Sequence, residues 1–89
     1  MELKNIKRSI TIEGYKFTPK AIKRCRLVYI GTAEECKTYA EKLDRENNTD
    51  CAFVGCLGDY EIKDTGIAFR GPWSTIKALE NVHFVRYWA

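Results

Sequence analysis

The residues with most chemical potential are four cysteines, at 25, 36, 51 and 56, and a single histidine, His83. A cysteine nucleophile needs a base to generate thiolate, and His83 lies in the apolar C-terminal run, where an idle, partly exposed strand histidine is the expected reading. Structural zinc sites usually bring their ligands in close pairs. The nearest pair here, Cys51 and Cys56, has four residues between them, while Cys25 and Cys36 stand alone. The expectation is therefore no metal, no cofactor and no catalytic residue, with reduced thiols packing as small hydrophobes.

Other spacings weigh the same way. Ser74 and Lys77 have the Ser-x-x-Lys interval of some acyl-transfer enzymes, but those sites require further motifs that are missing here. Asp59, Glu61 and Asp64 bracket a turn without calcium-loop spacing, as solubilising residues of a hairpin do. Gly31 and Thr32 open a helix whose N-terminal N–H groups are suited to a phosphate, yet Glu34 and Glu35 already complement the dipole there and would repel an anion.

Charge is distributed unevenly. Residues 1–30 carry eight Lys/Arg against two acids, and residues 31–89 carry seven against ten. Within the basic third, Lys16, Lys20, Lys23, Arg24 and Arg26 interleave with Tyr15 and Phe17, with Lys4, Lys7 and Arg8 upstream. Cations that neutralise phosphates beside rings that stack on bases are what a single-strand binder uses, although lysines on an edge strand also serve simply to prevent aggregation. On the opposite side, Glu34, Glu35, Glu41 and Asp44 form an acidic helix face suited to a protein partner.

These residues are positioned by a clear run of elements. Thr32, Ala33, Glu34 and Glu35 spell a capping box, and Ala33, Cys36, Tyr39, Ala40 and Leu43 recur on one face, which predicts the main helix at 32–47. Alternation of Cys25, Leu27 and Tyr29 with Arg26, Val28 and Ile30 predicts a strand over 22–30. Residues 51–57 read as a second strand, and 60–63 and 67–70 as a hairpin around Asp64, Thr65 and Gly66. Pro72, then Trp73, Ile76 and Leu79 at three-residue intervals, predict a short helix at 72–81, and 82–88 a last strand in which Phe84 and Trp88 face inward. Residues 6–12 and 15–17 look like an added N-terminal hairpin about Glu13 and Gly14.

The pattern from residue 22 onward is β-α-β-β-α-β. It predicts an α+β chain with a ferredoxin-like, split βαβ antiparallel sheet of four to six strands, one main and one short helix, and both helices on one face. The expected organisation is one domain, 1–89, comprising a basic hairpin at 1–20 and a core at 22–88.

Composition sets the class. At 45% hydrophobic and 30% charged the chain is that of a globular protein, and its longest apolar run, 27–30, cannot span a membrane. With no export signal at the start, a cytoplasmic location, or a host's cytoplasm, is expected. Eleven aromatics and no assembled catalytic group predict a non-catalytic protein-binding regulator or inhibitor that covers a surface on a larger protein or protein–nucleic-acid complex. Phage or mobile-element inhibitors of host defence nucleases are one such class. Direct binding of single-stranded RNA or DNA through the basic third is the alternative.

Overall fold

A computed structural model describes residues 1–88. In chain order the elements are β1 (Ile10–Ile12), β2 (Tyr15–Phe17), α1 (Pro19–Arg24), β3 (Leu27–Gly31), α2 (Ala33–Asn47), β4 (Ala52–Cys56), β5 (Tyr60–Lys63), β6 (Gly66–Phe69), 3-10 turns at Pro72–Ser74 and Lys77–Leu79, and β7 (His83–Tyr87). The fold is α+β, and every strand pairing between these elements is antiparallel.

The capping box at the start of α2 is formed on both sides. Thr32 Oγ1 accepts the Glu35 N–H at 3.2 Å, and Glu35 Oε1 accepts the Thr32 N–H at 3.0 Å. Asn48, left-handed at φ 50°, closes the helix. Cys36 and Ala40 are buried against Val85, with Tyr39, Val28 and Val54 around them, so the helix lays its stripe of small residues on the sheet.

That sheet is not the single one the sequence suggests. Its three strands run in the order β3, β7, β4, while β1–β2 and β5–β6 form separate two-stranded ribbons. The last strand is the central one, and adjacent Phe84 and Val85 are both fully buried because both faces are covered. Val85 meets α2. Phe84 meets the larger core, where Phe17, Ala21, Ile22, Cys25, Leu27, Leu57, Ile62 and Leu79 come together. The N-terminal hairpin and α1 therefore close the second face of the sheet, and Leu3 N–H and Ile30 N–H bond across its β3 edge to Val28 O and Met1 O.

Three segments differ from the sequence reading. The hairpin strand expected at 6–12 begins only at Ile10. The strand expected at 22–30 begins only at Leu27, because Thr18 caps a helical turn: its side chain accepts the Ala21 N–H, Pro19 fits the first helical position, and Lys23 and Arg24 lie in the last turn. The short helix expected at 72–81 is instead two 3-10 turns separated by extended Thr75 (ψ 128°) and Ile76 (ψ 113°). Three-residue spacing is the 3-10 period, and of the three apolar residues only Leu79 is buried.

Candidate functional site

The basic residues of the sequence are brought together by α1 and the turn that follows it. Lys20, Lys23, Arg24 and Arg26 line one surface depression of about 370 Å³. A second, about 360 Å³, is shared by Lys23 and Arg26 with Lys4, Ile6 and Tyr87. No acidic side chain lines either depression. The ion pairs among the described residues, Lys42–Glu46, Glu61–Lys63 and Lys77–Glu80, all lie outside the basic third, whose eight cations thus have no carboxylate partner among these residues.

Arg26 links this cluster to the C-terminal strand. It takes the left-handed conformation, φ 54°, that turns the chain from α1 into β3. Its carbonyl accepts the Tyr87 N–H at 3.1 Å, and its Nη1 donates to Trp88 O at 3.2 Å. Its guanidinium lies 5.5 Å from the Trp88 ring centroid, and that of Arg86 lies 4.2 Å away. Arg86 is fixed in turn by donation from Nε to Cys25 O at 2.9 Å, and burial pulls its pKa below the ordinary guanidinium value. Trp88, expected to face inward, is 51% exposed.

Tyr15 and Phe17, expected to stack on bases, are structural. Phe17 is 0% exposed in the larger core. Tyr15 Oη accepts the Ile62 N–H and donates to Ile62 O, both at 2.8 Å, joining the N-terminal hairpin to β5. Lys16 is exposed on β2, opposite Thr11, and lines neither depression. The ring that does join the cations is Trp88, more than sixty residues from Arg26 in sequence, and no local spacing marks it.

The acidic face is likewise partly structural. Asp44 Oδ1 accepts from Thr49 Oγ1 at 2.9 Å, Cys51 N at 3.0 Å and Ala52 N at 3.2 Å, anchoring the start of β4. The hydrogen bonds of Glu35 to Thr32 hold its carboxyl below the usual carboxylate range. Glu34 and Glu41 remain exposed.

A second surface carries rings. Phe53 on β4, Tyr60 on β5 and Phe69 on β6 touch in sequence, with centroids 6.0 Å apart for Phe53–Tyr60 and 5.4 Å for Tyr60–Phe69, resting on buried Phe84. Phe53 is 39% and Phe69 62% exposed, and Trp73, four residues on, is 98% exposed. β4 pairs with β7 on one side, and among the described residues no strand pairs its other side. Leu57 N–H bonds to Val82 O and Trp88 N–H to Cys51 O. In antiparallel pairing this alternation turns the N–H and C=O of Val54 to the open edge.

Elsewhere most thiols and the turn carboxylates are engaged one by one, while the buried Nδ1 of His83 has no hydrogen-bond partner among the described residues. Cys25 and Cys36 are buried, and burial pushes both thiols above their ordinary pKa. Cys56 is opposite His83 in the strand register, but its thiol is directed to Glu80 O at 3.3 Å and Leu79 O at 3.6 Å. Asp59 accepts from Thr75, Glu61 pairs with Lys63 and Asp64 accepts from Thr18, so the three turn carboxylates are held apart. Among the described residues no group of three or more His, Cys, Asp or Glu is placed to hold a metal ion, and no helix is long and apolar enough to cross a membrane. No protein-family model, curated protein or solved structure matches this chain.

Proposed function

We propose that this chain is a non-catalytic protein-binding module, a regulator or inhibitor that acts by covering a surface on a larger protein or protein–nucleic-acid complex. The observation that carries the reading is the contiguous ring surface of exposed Phe53 and Phe69 with half-buried Tyr60 between them, beside an unpaired edge, with exposed Trp73 four residues beyond Phe69. Burying a large apolar side chain contributes about 1.5–3 kcal/mol, so Phe69 and Trp73 alone supply several kcal/mol to a complex that covers them. Rigid aromatic anchors lose little conformational entropy on docking, and the Val54 edge offers backbone hydrogen bonds to an added strand. Exposed Glu34 and Glu41 on α2 suit a basic counterpart, and the nucleic-acid channel of a host defence nuclease, blocked by a phage or mobile-element inhibitor, is the partner class we put first.

The test is affinity purification from host lysate, with and without nuclease treatment, comparing wild type with Phe69→Asp and Trp73→Asp. Both substitutions are at exposed positions, and circular dichroism checks that they fold. The expected result is one stoichiometric protein partner, retained after nuclease and lost with either variant. Recovery of no stoichiometric partner, or equal recovery with the variants, contradicts the reading.

A further inference from the structure

We infer that the cations of α1, together with Arg26, Arg86 and Trp88, form a second binding site whose ligand is single-stranded nucleic acid, phosphates lying along Lys20, Lys23, Arg24 and Arg26 and a base stacking at Trp88. The site does not depend on the aromatic surface proposed above; the two share no residue.

Three features converge. First, the cations are concentrated without counter-charge: two adjoining depressions share Lys23 and Arg26, and no carboxylate lines them. Like charges held close repel one another, and an anionic ligand removes that cost while releasing counterions from its own phosphates. Second, an exposed indole adjoins the depressions, since the guanidinium of Arg26, which lines both of them, lies 5.5 Å from the Trp88 ring centroid. A base has a π-face whatever its identity, and it stacks either on an indole or on a guanidinium plane such as that of Arg86. Third, the two arginines beside the indole are preorganised: Arg86 Nε donates to Cys25 O and Arg26 Nη1 to Trp88 O. These two side chains therefore have little freedom left to lose on binding. Phosphate contacts from flexible lysines beside a fixed stacking group fit an unpaired strand, whose bases are free to splay out, better than a duplex, whose bases are hidden in the stack.

Fluorescence anisotropy with labelled dT12 and U12, titrated over a range of salt, reads this directly. For single strands the logarithm of affinity falls with the logarithm of salt by about 0.7 per phosphate neutralised, so four cations give a slope near −2.8. The exposed triple reversal Lys20→Glu, Lys23→Glu, Arg24→Glu should bring the slope to about −0.7 or flatter. Trp88→Ala should weaken binding by roughly 5- to 150-fold at fixed salt, with Trp88→Phe retaining most of it. Binding of either oligonucleotide supports the site, and their ratio assigns DNA or RNA. The inference is overturned if neither binds at low salt, if the slope survives the charge reversal, or if Trp88→Ala is without effect. It is also overturned if a 12-base-pair duplex or a polyglutamate of equal charge binds as tightly.

Discussion

Replacing Gly55 by alanine sets two physical effects against each other. Gly55 is in the middle of β4 with ordinary strand backbone, where conformational entropy alone would favour alanine by about 0.5–1 kcal/mol. The added methyl, however, would sit 2.5 Å from Phe84 Cζ, 2.9 Å from Phe84 Cε1 and 3.0 Å from Phe53 Cε1. Phe84 cannot swing away. Its ring is fully buried and abuts Tyr60 edge-on at 5.7 Å. Overpacking costs about 1–3 kcal/mol, and a 2.5 Å approach to a ring that cannot move belongs at the upper end, about 2–3 kcal/mol, so after the entropic gain the net loss is about 1–2 kcal/mol. For a chain of this size that lowers the thermal midpoint by about 4–16 °C. Urea unfolding followed by far-ultraviolet circular dichroism measures it, and a Gly55→Ala, Phe84→Leu double variant completes a cycle. Since leucine vacates the clash, the double variant should be at least about 0.5 kcal/mol more stable than additivity allows. A neutral or stabilising Gly55→Ala, or an additive cycle, would show that Phe84 does not close the core against β4 as described.

Asp44→Ala should destabilise by about 2–4 kcal/mol in the same assay, because it strips charge-assisted bonds from two backbone N–H groups and Thr49; an unchanged midpoint would return Asp44 to the role of a free surface acid. Glu35 has its pKa lowered in the folded state by the hydrogen bonds to Thr32, so the stability it contributes is present above the ordinary carboxylate pKa and lost as pH falls through the lowered value. Glu35→Gln should therefore flatten the acid limb of the urea midpoint against pH, and identical limbs would argue against the capping box. Iodoacetamide on the native protein, followed by mass spectrometry, should label half-buried Cys51 and Cys56 first and leave buried Cys25 and Cys36 until denaturant is added; uniform labelling would contradict the packed thiols.

What could be read in advance depended on how local its cause was. The capping box and the hairpin turns at Glu13–Gly14 and about Asp64 and Thr65 are encoded within a few residues and appear where expected, except that Gly66 opens β6 instead of belonging to the turn. α1 has a local signature too, in Thr18 and Pro19, but six residues are too few to show helical periodicity beside the strong alternation of 25–30. The 3-10 turns carry the same apolar spacing as a helix. Sheet order was out of reach, since pairing β7 between β3 and β4 is decided by partners as distant in sequence as Leu27 and Arg86, and none nearer than Cys56 and His83. The same holds for the sites. Charge was legible, and Lys20, Lys23, Arg24 and Arg26 do share a surface; burial was not, so Tyr15, Phe17 and Asp44 read as binding groups when their bonds serve the fold.

The role of the exposed rings is tested most directly by placing a photo-cross-linking phenylalanine analogue at position 69, with the same analogue at exposed Lys16 on β2 as reference, and irradiating each protein in host lysate. One discrete, nuclease-resistant cross-linked protein from position 69 and none from position 16 is the predicted result. Cross-links from position 16 alone, or from neither, would contradict the assignment of β4, β5 and β6 as the face that meets a partner.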